Sequence, residues 1–131
     1  MILLDTHVLV WWRAAPTRLT RAQSRRIERQ LVTGVPLGIS AVSLWELALL
    51  GEREQLKLPS SLETWLDSIE NDRRLYVYPL SAQIAADAAR LPRDFPRDPA
   101  DRIITATARC ETLELVTADE RIRASGLVRV I

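Results

Sequence analysis

The chain has 131 residues, nearly half of them hydrophobic, and a formal net charge of +1. That combination fits one folded domain with a sizeable core, and it excludes a disordered chain or a strongly basic nucleic-acid-coating protein. One cysteine, Cys110, allows no intrachain disulfide, and no apolar run approaches the about 20 residues that cross a bilayer; with no leader-like segment either, a cytoplasmic protein without membrane contact is expected. Lys57 is the only lysine, and all other basic side chains are arginine. Arginine binds phosphate bidentately, which suggests nucleic acid; a GC-rich genome gives the same bias.

Met1 to Asp5 reads as a short buried strand of the kind parallel sheets use. Thr6 to Ala14 is helical until Pro16 breaks it. Thr20 and Gln23 form a capping box for a helix to about Val32, with Ala22, Ile27 and Leu31 inward and Arg21, Arg25, Arg26 and Arg29 outward, stopped by Gly34. Pro36 to Ser40 is a second strand and leads into a helix from Ala41 to about Glu52. Ser60 and Glu63 predict a capping box for the helix that holds Trp65. Leu75 to Leu80 is a third strand, and Ser81 to Leu91 an alanine-rich helix. After a loop rich in proline and arginine, Asp98 at the N-cap and Pro99 at N1 start a helix to about Glu111. Leu113 to Thr117 is a fourth strand, a short helix follows, and Val128 to Ile131 is a fifth. Strands alternating with helices predict an α/β domain with a parallel sheet.

Four carboxylates fall at strand ends or adjoining helix starts. Asp5 closes Ile2-Leu3-Leu4, Glu46 follows the second strand, Asp101 lies in the first turn after Asp98-Pro99, and Asp119 follows the fourth strand. Ligands of open α/β sheets bind outside the carboxyl ends of the strands. If the four acids meet there, their mutual repulsion calls for a cation. Oxygen-only ligands suit Mg²⁺ or Mn²⁺ rather than zinc, which points to metal-assisted hydrolysis of a phosphodiester.

Each acid also has a plainer reading. Ser43 to Glu46 and Asp98 to Asp101 both have capping-box spacing, and Asp119 suits a helix start. Asp5 is harder to dismiss, because a lone buried carboxylate is costly. Thr6 and Thr117 are placed to hold a metal-bound water, although Thr6 reads better as a cap. His7 is the only histidine and reads as structural. Trp11, Trp12, Trp45 and Trp65 read as core or subunit-interface residues. No glycine-rich phosphate loop and no Ser-His-Asp set can be drawn.

At these residues the chain resembles the PIN-domain ribonucleases, specifically VapC-type toxins of type II toxin–antitoxin pairs. The resembling stretches are Leu3 to Trp12, Ser40 to Ala48, Asp98 to Ile104 and Leu115 to Asp119, in matching order along essentially the whole chain. The resemblance implies a three-layer α/β/α fold with about five parallel strands in a single domain, residues 1–131. It also implies a Mg²⁺ or Mn²⁺ site and an RNA substrate, a homodimer, and a VapB-like antitoxin whose tail occupies the acidic groove. By position, Asp5, Glu46, Asp101 and Asp119 become the catalytic, metal-holding quartet, with Thr117, Thr6 and Asp98 in support. Arg97 and Arg102, near the pocket rim, become candidates for RNA phosphates. Leu50, Glu54-Gln55 and Pro96 replace a lysine, a Gly-Lys pair and a histidine that many relatives carry, so the resemblance does not transfer the identity of the RNA. The competing expectation is a PIN-like binding module whose acids dock an Arg-rich partner. A phosphatase fits less well, because Asp5-Thr6-His7 lacks a second aspartate two residues on.

Overall fold

Alternation along the first strand sets the three layers. β1 (Ile2–Leu4) is buried on both faces. Ile2 and Leu4 join a core with Val8, Leu9, Ile27, Leu47 and Ile69 on one side of the sheet. Leu3 joins a second core with Phe95, Ile104, Leu115 and Ile122 on the other. Successive strand residues point to opposite faces, so three apolar residues serve two helical layers. The computed structural model describes all residues, Met1 to Ile131.

The first layer carries α1 (Thr6–Ala14), α2 (Arg21–Val32), α3 (Ala41–Glu52) and α4 (Leu62–Glu70). The second carries α5 (Ala82–Arg90), α6 (Pro99–Cys110) and α7 (Glu120–Ser125). Between them lie β1, β2 (Leu37–Ser40), β3 (Leu75–Tyr78) and β4 (Glu114–Val116), all parallel, in the order β3-β2-β1-β4. The chain builds outward from β1 to β3, then returns to the far side of β1 for β4. That reversal opens a crevice beyond the carboxyl ends of β1 and β4, where such sheets bind ligands.

The expected fifth strand is reduced to one bridge, Val130 against Leu115. The tail does run along β4, with Leu115 N–H donating to Arg129 O at 2.8 Å and Ile131 N–H to Leu115 O at 2.9 Å, but these bonds frame a single bridge and no ladder. β3 stops at Tyr78 because Pro79 has no N–H to donate. The cap of α4 is Ser61, one residue later than the spacing predicts, and its hydroxyl accepts from Thr64 N–H at 3.2 Å. Thr20 and Gln23 form the expected capping box. Ala22, however, is exposed, and Gln23 and Gln30 are buried in its place. Strand-end carbonyls explain this: Gln23 donates to Thr117 O at 3.3 Å, and Gln30 to Pro36 O at 2.7 Å. Arg26 is not a free outer arginine, since it pairs with Glu114 at 3.2 Å.

Gly38 marks the tightest point of the sheet. A Cβ there would lie 2.6 Å from the Tyr78 ring and 3.1 Å from Ile2 O. Gly38→Ala is expected to cost about 1–3 kcal/mol through overpacking, read as a lower midpoint in chemical denaturation.

Candidate metal centre

The carboxyl ends of β1 and β4 deliver polar groups to the crevice. Asp5 ends β1 and caps α1; it is buried, with Oδ1 accepting from Thr6 N–H at 2.8 Å. Its Oδ2 accepts from the Thr117 hydroxyl at 2.6 Å. Thr117 follows β4, is fully buried, and also accepts from Asp119 N–H at 3.0 Å. One hydroxyl therefore ties together the acids beyond two neighbouring strands. Thr6 is not a cap. Its hydroxyl meets Ser43 Oγ at 2.8 Å and donates to Glu46 Oε1, fixing that carboxylate across from α1. Ser40, not Ser43, caps α3. Glu46 is thus a mid-helix acid turned to the crevice, and its capping-box reading falls away.

The second layer adds the rest. Asp98 caps α6 by accepting from Ala100 N–H at 3.1 Å, and Asp101 lies one turn inward. Asp119 caps α7 by accepting from Arg121 N–H at 2.8 Å, so its capping and crevice readings both hold. Asp5, Glu46, Asp98, Asp101 and Asp119 line a single open hollow of about 330 Å³ together with His7, Trp11 and Arg121. A separate hollow of about 350 Å³ between α1 and α4 is lined by Leu9, Leu47 and Trp65 and contains no carboxylate.

Crowding shows in the acidities. Burial raises Asp5 above its ordinary value, partly offset by the Thr117 and Thr6 bonds. Burial also raises Glu46, against the pull of the Thr6 bond. Asp101 is pushed up to about 7, first by burial and then by Asp98, Asp5, Asp119 and Glu46. Asp119 alone is lowered, chiefly by its hydrogen bond from Arg121. The Arg121 guanidinium reaches Asp119 Oδ2 at 2.9 Å and Asp101 Oδ2 at 3.7 Å.

As the side chains stand, no three of these groups are already set to grip one ion. The donors are nevertheless all oxygen, and burial with like charge holds three of the acids uncomfortably. Such a set suits a hard divalent cation, with Arg121 standing in for its charge.

Comparison with known proteins places the chain in a family. The PIN domain family matches residues 2–126. The chain belongs to the PIN domain family. It is 42% identical over 124 residues to Ribonuclease VapC22 of Mycobacterium tuberculosis, covering 94% of this chain and 90% of that protein. Its fold matches VapBC2 from Rickettsia felis bound to a promoter DNA fragment, with a TM-score of 0.72 at 19% identity, over 100% of this chain and 98% of that one. It also matches FitAcB from Neisseria gonorrhoeae, with a TM-score of 0.70 at 22% identity, over 100% of this chain and 96% of that one.

In this PIN domain the two expected rim arginines part ways. Arg97 is exposed one residue before Asp98. Arg102 points elsewhere: its guanidinium donates to the carbonyls of Ala88, Leu91 and Pro92 at 3.1, 3.2 and 3.1 Å. It serves the end of α5 and is withdrawn as a phosphate contact. Sequence reading did not find Arg121, which stands two residues after Asp119 in an arginine-rich tail with nothing to distinguish it. It also read His7 as structural, whereas the ring is exposed at the hollow.

Removing the stand-in charge should be measurable. Arg121→Ala is expected to raise Mn²⁺ affinity severalfold in calorimetric titration of the metal-free protein, because the ion no longer displaces a guanidinium. Unchanged affinity would remove Arg121 from the electrostatics of the site.

Proposed function

We propose that this PIN domain is a VapC-type endoribonuclease, the toxin of a toxin–antitoxin pair, and that it hydrolyses RNA with Mg²⁺ or Mn²⁺. The observation that carries the reading is the convergence of Asp5, Glu46, Asp101 and Asp119 on one hollow at the β1–β4 switch, with the Thr117 hydroxyl locking Asp5. Kinship with a protein named a ribonuclease gives the reaction class.

Asp5 and Asp101 would hold the ion directly, with Glu46 and Asp119 completing the ring or orienting water. When bound, the ion supplies Lewis acidity toward the scissile phosphate. The Thr117 hydroxyl fixes Asp5 Oδ2, the Thr6 N–H fixes Oδ1 and the Thr6 hydroxyl aims Glu46, so the carboxylates meet substrate already oriented. Exposed Arg121 and Arg97 can take phosphate oxygens once a cation relieves the acids.

The fold neighbours are toxin–antitoxin complexes, and the partner we assign is a VapB-like antitoxin. Arg121 on Asp119 illustrates how an arginine carried on an antitoxin tail would close the hollow. Homodimerisation, which the family resemblance implies, would use exposed apolar groups such as Trp45, 58% accessible. No helix is long and apolar enough to cross a membrane.

The deciding experiment is cleavage of total RNA with Mn²⁺ added and with excess EDTA. Cleavage is expected with the metal and none with the chelator. Cleavage that persists in EDTA would exclude the metal reading. A protein that binds an Arg-rich peptide but never cuts RNA would be a binding module.

A further inference from the structure

The acidic hollow has one wall that catalysis by the acids leaves unexplained. Trp11, on α1, lines it beside the carboxylates. Its indole is half-buried, anchored against the first core. His7, one turn earlier, is exposed and its ring lies 6.3 Å from the indole, tilted by 53°. The Arg18 guanidinium, carried on the short turn Pro16–Arg18 after α1, sits 4.8 Å from the centre of the Trp11 ring. An aromatic ring, an imidazole and a stacked guanidinium thus form one surface that runs directly off the acids.

We propose that His7, Trp11 and Arg18 form a shelf for an unpaired RNA base beside the scissile phosphate. The proposal deepens the ribonuclease reading and rests on it. Four carboxylates repel a polyanion, so an RNA strand needs attraction close to them but outside the metal-binding set. Arg18 supplies positive charge where a neighbouring phosphate would run. Unpaired bases stack on aromatic rings and on guanidinium planes, largely without regard to sequence. A guanidinium already layered on an indole is pre-ordered for this, so little side-chain freedom is lost on binding. The tie between α1 and α3 through Thr6 and Ser43 holds the shelf at a fixed distance from Glu46.

The test uses two fluorescein-labelled RNA strands of equal length and phosphate count, one a random-sequence 10-mer pool and one with abasic ribose at every position. Binding is read by anisotropy with Ca²⁺ present to slow cleavage. The wild-type protein is expected to bind the base-bearing strand about 5- to 100-fold tighter, the range that stacking of a base on an aromatic ring supports. Trp11→Leu should bind the two strands nearly alike, Trp11→Phe should keep most of the preference, and His7→Ala and Arg18→Ala should each lose part of it. Because the readout is the ratio between strands, a general loss of affinity does not imitate it. Should Trp11→Leu fail to fold, the exposed His7 and Arg18 variants and the wild-type ratio still decide. A wild-type protein that cleaves RNA but shows no preference for bases overturns the shelf and leaves the ribonuclease standing. A wild-type protein that neither cleaves RNA nor binds either strand overturns both.

Discussion

Asp101→Asn should reduce Mn²⁺-dependent RNA cleavage by at least about 100-fold, the scale of losing one charged group from a preorganised site. At the same time it should make the metal-free protein more stable near pH 8. The two effects share a cause. Asp101 is buried among like charges and its carboxyl is pushed up to about 7. A carboxyl raised above its unfolded value of 3.8 favours folding while both states are protonated, and this contribution is lost progressively as pH rises from 3.8 to about 7. The full shift corresponds to about 4 kcal/mol. With part of the carboxyl open to water we expect about 1–2 kcal/mol, or about 3–8 °C in Tm. The gain should shrink to roughly a third at pH 5, where Asp101 is neutral in the fold but ionised in the unfolded chain, and vanish only below pH 3.8. Asp98→Asn is the contrasting variant: asparagine caps as well as aspartate, so the fold should hold, whereas Asp98→Ala should cost about 1 kcal/mol. If Asp98→Asn abolishes cleavage while Asp101→Asn spares it, the two roles are reversed.

Thr117→Val is expected to damage the site without touching a carboxylate. Valine keeps the shape but withdraws the donor to Asp5 Oδ2 and the acceptor for Asp119 N–H. Leaving buried polar groups unpaired costs about 1–3 kcal/mol. The deficit should grow between pH 5 and pH 8, because the lost bond is one of those lowering Asp5, and without it the ionised form is harder to bury. Cleavage should fall roughly tenfold or more as Asp5 loses its fixed orientation. Melting curves at both pH values and single-turnover kinetics check this. An equal loss of stability at pH 5 and pH 8 would mean that Thr117 acts by packing and not through Asp5.

The parts of this molecule legible in its sequence are those governed by local rules. Asp98-Pro99 sets the start of α6, Thr20 and Gln23 set the start of α2, and the apolar run Ile2 to Leu4 sets a strand buried on both faces. The quartet was legible because strand ends and helix starts converge in a parallel α/β sheet. Contacts between distant segments were not. Nothing near Ser43 announces that it meets Thr6 rather than capping a helix. Gln23 reads only as a capping-box partner, and nothing in the sequence shows that strand-end carbonyls need its amide and that of Gln30. Arg102 and Arg121 are alike in sequence, each two or fewer residues beyond a crevice aspartate. Only the packing of α5 against α6 sends one to carbonyl oxygens and leaves the other over the acids.

The seat of Arg102 bears on how such a chain can vary. Across the protein, 17 arginines to one lysine look like the drift of codon usage, with the two residues interchangeable wherever a solvated positive charge suffices. At Arg102 they are not. Three carbonyls from the end of α5 and the turn beyond it converge on one planar fork, whose centre lies 5.8 Å from the centre of the Phe95 ring. A lysine ammonium is a single point with three donors and no plane, so it cannot occupy that seat in the same way. In a lineage drifting toward lysine-rich composition, most of the surface would be free to follow, while position 102 would be held to arginine by geometry alone.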